Sequence, residues 1–297
     1  MSAPAAAPPR EAAVGAVAAS TLAPRRRPGV RTVYAWELRK LAAQKRTYIG
    51  LGCALLVPLI FIASLLADAG GPNGIPFGDY VRVSGLAIPL VGLFFGAFWF
   101  FPLVTALVAG DIVATEDGNG TLKTILTRSV ERWQIFAAKV LAAFTYALVA
   151  LVMFVGVGLV LGGIFWGFDP LRSLSGNLIS VERSLLLIGA SVLAYYLPTL
   201  AVASIAVLLS TVTRNSAAAV VATLMLSLIM QLLGIVSALD FLRPYLLPAQ
   251  FNAWQGLLRE PIDWAPVVRA AWVSALFAVP ALSWAFVHFV RRDVAGG

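Results

Sequence analysis

The chain has 297 residues, of which 60% are hydrophobic and 12% charged, with a mean hydropathy of +0.88 and a formal net charge of +8. An ordinary soluble domain carries about 25% charged residues, so the composition excludes one and points to a polytopic membrane protein. A single cysteine, Cys53, and a single histidine, His288, exclude an internal disulfide and a histidine- or cysteine-rich metal site.

Residues 1–29 are rich in Ala and Pro and carry the basic cluster Arg25, Arg26 and Arg27; they read as a disordered cytoplasmic tail. A cleaved signal peptide is the competing reading. It is disfavoured because Ala12 to Ala23 holds one Leu among mostly Ala and is followed by the Arg triplet. Val30 to Arg46 predicts an amphipathic helix in the membrane interface, with Val30, Tyr34, Leu38 and Leu41 in one sector and Arg31, Arg39 and Arg46 elsewhere. Lys45 falls near the apolar sector, where its stem can snorkel to the headgroups. A solvated juxtamembrane stretch drawn to anionic lipid is the alternative.

From Tyr48 onward, six stretches reach the roughly 20 residues needed to cross about 30 Å of hydrocarbon. They cover 48–67, 87–109, 140–165, 184–209, 216–239 and 267–290, within an all-α membrane domain running over 30–297. Basic residues near span ends are retained on the cytoplasmic side. With the N-terminus inside, 16 of the 22 Lys and Arg fall on inner segments, so both termini are expected in the cytoplasm. The net charge is then a topology signal, and with no soluble basic domain it implies no nucleic-acid partner.

The second span carries an aromatic wall that includes Phe94, Phe98 and Trp99, and Gly92-xxx-Gly96 and Gly158-xxx-Gly162 allow close helix approach. Tyr195, Tyr196 and Gln231 are the larger polar groups at membrane depth. Phe94, Phe98, Trp99, Tyr195 and Gln231 are therefore candidates for a substrate path or a subunit interface, with ordinary helix packing as the alternative. Pro58, Pro89, Pro102, Pro198 and Pro280 are expected to kink their spans.

The segment from Asp111 to Lys139 interrupts the apolar pattern with eight charges: Asp111, Glu116, Asp117, Lys123, Arg128, Glu131, Arg132 and Lys139. Each would cost about 2.5 to 3.5 kcal/mol at a bilayer centre, so the segment is expected outside the membrane. Leu122, Ile125 and Leu126 form an i, i+3, i+4 stripe, and Ser129 is the expected N-cap of a second helix running into Trp133 and Ile135. A short amphipathic helix between two spans suggests a docking surface; packing on the chain's own spans is the alternative. Gly118 and Gly120 in GNGTLKT approach a phosphate-binding loop, but Lys123 follows Leu122 instead of a glycine, so the spacing fails.

Between the fifth and sixth spans, Asp240 to Pro266 holds Phe241, Tyr245, Phe251, Trp254 and Trp264 with three prolines. Short interfacial or re-entrant helices with aromatics at headgroup level are expected there, with an outer gate as the functional reading. The middle of every span is free of Asp, Glu, Lys and Arg. Ion-coupled transport and voltage sensing both call for such groups at membrane depth, so energy is expected from elsewhere. A membrane enzyme lacks a nucleophile pair or metal set.

These features resemble the permease subunit of ABC-2 type ABC transporters. The sharpest match is the loop pattern of an acidic residue, Gly-Thr-Leu, Leu, Arg and Lys, present as Glu116, Gly120-Thr121-Leu122, Leu126, Arg128, Arg132 and Lys139. Residues 30–290 look most like the stand-alone permeases of bacterial drug and peptide-antibiotic exporters, with Ser129 standing where many relatives have Pro. The resemblance implies a non-catalytic transport subunit in a bacterial plasma membrane, paired with a second copy or a paralogue and with two copies of a separate ATPase that carries ATP and Mg. This chain would bind no cofactor or metal itself. The coupling segment would comprise Glu116, Asp117, Gly120, Thr121, Leu122, Lys123, Ile125, Leu126, Arg128 and Arg132, with Leu122, Ile125 and Leu126 in the ATPase cleft and Lys123, Arg128 and Arg132 at its rim or on lipid phosphates. A nucleotide-independent channel or facilitator is the alternative. Drug, peptide antibiotic and lipid-linked glycan remain open as cargo.

Overall fold

The computed structural model describes residues 29–67, 72, 74–118, 120 and 130–291. The tail expected over 1–29 lies outside them except for Gly29. In chain order the helices are α1 (Val30–Ala43), α2 (Lys45–Leu66), α3 (Ala87–Gly96), α4 (Phe100–Ala109), α5 (Ala114–Gly118), α6 (Arg132–Trp166), α7 (Val181–Thr213), α8 (Ser216–Leu233), the single turn α9 (Leu247–Gln250) and α10 (Ala265–Val290). The helices α2, α6, α7, α8 and α10 are long and apolar enough to cross a membrane; α3 and the helix following it make a sixth if taken together.

That second apolar stretch is expected as one helix over 87–109, but it breaks and bends by 65°. Pro102 explains the position: it has no N–H for the carbonyl of Phe98 four residues earlier, so the ladder opens across Ala97, Phe98 and Trp99. In contrast, two expected elements merge. The helix anticipated after Ser129 and the span anticipated from Val140 form the single 35-residue α6. Glu131 caps it, in a reciprocal box with Gln134, and nothing between Arg132 and Val140 interrupts the helix. Ser129 lies outside the described residues. At 1.5 Å per residue α6 is about 50 Å long, longer than a hydrocarbon layer of about 30 Å, and its charged residues Arg132 and Lys139 fall in its first turns.

The most buried of the long helices is α7, with α10, α8, α4 and α6 packed around it. Four of its hydroxyls bond within the helix: Ser191, Thr199, Ser204 and Thr211 each donate to the carbonyl four residues back at 2.7 to 2.9 Å. An aromatic ladder ties the surrounding elements together, with Phe154 on α6 against Phe101 on α4, Phe101 against Tyr195 on α7, and Tyr195 against Phe251 beyond α9.

At the end opposite α1 the chain departs from an all-helical pattern. Leu171–Arg172 (β1) and Leu178–Ile179 (β2) pair antiparallel, and the Ser173 Oγ accepts from the backbone N–H groups of Ser175 and Asn177 at 3.2 and 3.0 Å to close the turn. The hairpin docks on the segment before α10, through Leu174 N–H to the Leu258 carbonyl at 2.9 Å and Glu260 N–H to the Ser175 Oγ at 3.0 Å, and Arg183 in the first turn of α7 pairs with Glu260 at 2.8 Å. The expected short helices between α8 and α10 are present, but their aromatics divide: Phe251 and Trp254 are buried inside the protein, and Phe241, Tyr245 and Trp264 are exposed.

Backbone lies directly against backbone where Gly162 of α6 crosses Gly85, just before α3. A Cβ on Gly162 would lie 2.6 Å from the Gly85 carbonyl oxygen, and one on Gly85 only 2.2 Å from the Gly162 carbonyl carbon. At Gly92 the obstacle is the edge of the Phe154 ring at 2.8 Å, which can rotate away. Gly162→Ala is therefore expected to destabilise the protein by about 1 to 3 kcal/mol and Gly92→Ala by less. Thermal unfolding of the two variants in the same detergent checks the order.

Candidate functional site

A cluster of charges lies at the end of the molecule where α1, α5 and the first turns of α6 meet. Glu37 and Lys40 sit one helical turn apart on α1 and face α6. The first turns of α6 bring in Lys139, and Glu116 comes from α5. The four side chains close a ring of alternating charge. The Lys40 Nζ is 2.9 Å from Glu37 Oε1 and 2.8 Å from Glu116 Oε1. The Lys139 Nζ is 3.1 Å from Glu37 Oε2 and 2.7 Å from Glu116 Oε2, and it also donates to the Ile112 carbonyl at 3.2 Å. Lys139 is 0% and Glu37 4% exposed, so the ring lies inside protein, with Lys40 at its wet edge.

Burial and charge pull in opposite directions here. Burial alone would lower the Lys40 pKa, but the Glu116 and Glu37 carboxylates outweigh it and raise the ammonium above its ordinary 10.5. For Glu116, burial alone would raise the pKa; Lys139 and Lys40 reverse the sign and hold it below its ordinary 4.5.

Two further pairs extend the cluster. Arg46, in the first turn of α2, pairs with Asp111, which also accepts from the Thr115 hydroxyl. Arg214 ends α7 in the left-handed conformation at φ 57° and stands 3.9 Å from Asp117. The Ser210 Oγ of α7 accepts from the backbone N–H groups of Val113 and Ala114 at 3.2 and 3.0 Å, anchoring the turn that leads into α5. The stretch from Asp111 to Gly118 is thus bound to α1, α2, α6, α7 and the α7–α8 turn.

Of the proposed coupling residues, Glu116 lies in the ring, Asp117 faces Arg214, and Gly120 takes a positive φ of 68°. Arg132 donates to the Val290 carbonyl at 2.7 Å, tying the start of α6 to the end of α10. Thr121, Leu122, Lys123, Ile125, Leu126 and Arg128 lie outside the described residues. Among the proposed path residues, Phe94 meets Phe98 edge-on at 5.9 Å, and Phe98 and Gln231 line one small cavity with Met230 and Phe251. Tyr195 is fully buried against Phe101 and Phe251, and Trp99 is exposed.

The sequence places Asp111, Glu116 and Lys139 outside the bilayer but does not show that Asp111 and Lys139 are buried and Glu116 half-buried in protein. It also misses Glu37, which occupies the buried face of α1 with Val33 and Leu41. A signal was available: Glu37 falls between the positions assigned to the apolar sector, one turn from Val33 and Leu41.

Removing Lys139 would leave two buried carboxylates facing one lysine. Lys139→Met is expected to cost about 3 to 5 kcal/mol, and adding Glu37→Gln to that variant should recover part of it; thermal unfolding in detergent reads both. Glu116 contributes stability above its ordinary pKa that is lost as pH falls through its lowered value. Lys40 contributes stability below 10.5 that is lost as pH rises through its raised value. Unfolding temperature should therefore stay flat between about pH 5 and pH 10 and fall outside that window, most visibly as a change in proteolysis of α1.

The chain is 28% identical over 237 residues to "Uncharacterized protein YhcI" of Bacillus subtilis (strain 168), an alignment that covers 75% of this chain and 71% of the relative. A family profile matches residues 53–295, which takes in Asp111, Glu116 and Lys139 and begins after Glu37 and Lys40. By that match the chain belongs to the family described as protein of unknown function (DUF2705).

Proposed function

We propose that this chain is the membrane-embedded permease subunit of an ATP-driven exporter of the ABC-2 type. It would cross a bacterial plasma membrane six times, the bent α3 and α4 counting as one crossing, with both termini in the cytoplasm. Two copies, or this chain and a paralogue, would enclose the path, and two copies of a separate ATPase would supply the energy.

The observation that carries the reading is the buried ion-pair ring. It and its neighbouring pairs fasten residues 111–118 to α1, α2, α6 and α7 immediately before the segment 119–129 that holds the Gly-Thr-Leu pattern. A push on that segment would reach four helices together instead of flexing a loop. The charge distribution supports the same reading: acids and bases are confined to the ends of α2, α6, α7 and α10, which leaves no mid-membrane group for ion coupling. The break at Ala97 to Trp99, beside Gln231, would give the path an irregular stretch at membrane depth.

Leu122→Asp and Leu126→Asp would place a charge on the apolar stripe expected to enter the ATPase cleft. Each is expected to reduce co-purification with the partner ATPase at least about tenfold while leaving the permease monodisperse. Transport or substrate-stimulated ATP hydrolysis by liposomes holding the chain alone, or undiminished ATPase capture by both variants, would refute the assignment.

A further inference from the structure

At the end opposite the ion-pair ring, a cavity of about 200 Å³ opens between residues 244–253 and the first turns of α10. Pro244, Ala249, Gln250, Asn252, Pro266 and Arg269 line it. Its polar groups are sorted by the bonds they already make. Gln250, 3% exposed, spends its Nε2 hydrogens on the carbonyls of Pro244 and Leu246 at 2.8 and 3.0 Å, which leaves its Oε1 as an acceptor. The Oδ1 of Asn252 accepts from Gln255 Nε2 at 3.2 Å, which leaves its Nδ2 hydrogens as donors. Arg183 and Arg259 are matched to Glu260 and Asp263, whereas among the described residues no carboxylate lies within ion-pair distance of Arg269.

The cavity is also placed by depth. Tyr245 stands next to the lining residue Pro244 and Trp264 two residues before the lining residue Pro266, Trp272 lies one turn beyond Arg269 in ring contact with Tyr245 at 5.8 Å, and all three are exposed. Exposed Tyr and Trp at the end of an apolar helix mark headgroup level. A guanidinium with five donors and an amide with two suit a phosphodiester, and the Gln250 acceptor suits the hydroxyl or ammonium that a phospholipid headgroup carries next to its phosphate.

The geometry points to a phospholipid site: Arg269 and Asn252 hold the phosphodiester of a glycerophospholipid from the leaflet opposite the ion-pair ring, and Gln250 accepts from its headgroup hydroxyl or ammonium. This rests on the helices lying in a bilayer and is independent of the exporter reading. The lipid would fill a polar notch between α9 and α10 and hold the irregular segment 244–253 against the last helix.

Native mass spectrometry of the detergent-purified full chain, titrated with dioleoyl phosphatidylglycerol or phosphatidylethanolamine, tests it. One lipid per chain should bind tightly. Arg269→Gln should weaken it about tenfold and Asn252→Asp should also weaken it, whereas Arg259→Gln, which lies outside the cavity, should leave it unchanged. Dioleoylglycerol, which lacks the phosphate, should not form the adduct. Equal binding of dioleoylglycerol, or wild-type affinity in both Arg269→Gln and Asn252→Asp, would overturn the assignment. Displacement of the lipid by millimolar inorganic phosphate would also overturn it, because the site would then take a free anion and not a headgroup.

Discussion

Two lysines and two glutamates meet in one cluster, with Lys139 and Glu37 buried, Glu116 half-buried and Lys40 at the surface, and the organisation of the charged end of this protein depends on their closing into a ring. Neither Lys139 nor Glu37 is tolerable alone at that burial, because the desolvation of an isolated ion amounts to several kcal/mol. Each lysine touches both carboxylates and each carboxylate touches both lysines, so the ring is neutral and every charge has two partners. The price is geometric, since the four residues come from α1, α5 and α6 and those elements must arrive together.

This requirement explains why α1 is not a loosely held interfacial helix. Its apolar residues pack on α6, and Glu37 inserts between them to reach Lys139. The Tyr34 hydroxyl meets Thr145 further along α6 at 2.6 Å. The Asp111 turn is bound just as firmly, by Arg46 from one side and Ser210 from the other. Residues 111–118 are thereby tied to the helical bundle through polar contacts that are few, directional and mutually dependent.

The middle of the bundle obeys different physics. Lipid is as apolar as the side chains, so helices associate there through close backbone approach, ring contacts and satisfied hydroxyls. The Gly85–Gly162 crossing, the aromatic ladder from Phe154 to Phe251 and the self-bonded serines and threonines of α7 are the local forms of that rule. At the opposite end polar chemistry returns, with the β1–β2 hairpin, the Arg183–Glu260 pair and the Arg269 cavity.

Much of the fold was legible in the sequence because helix length, apolar composition and charge-free centres are local properties. The long helices α2, α6, α7, α8 and α10 follow from runs of apolar residues bounded by charge; of the two glycine pairs, Gly158 and Gly162 meet backbone at Pro89 and Gly85, whereas Gly92 and Gly96 meet aromatic side chains. The break near Phe98 was half legible, since Pro102 marks a missing donor but does not say that the helix bends by 65° instead of kinking slightly. The merging of two expected helices into α6 turned on Glu131 and Gln134, a capping box that a search centred on Ser129 passes over. Only the tertiary structure decided the site. Pairing among Glu37, Lys40, Glu116 and Lys139 spans 102 residues, and no periodicity records which distant charge will neutralise which. The sequence by itself determined that these charges had to leave the hydrocarbon; three-dimensional packing determined that they left it for one another, because a buried ion is tolerated only where its partners are already held in place.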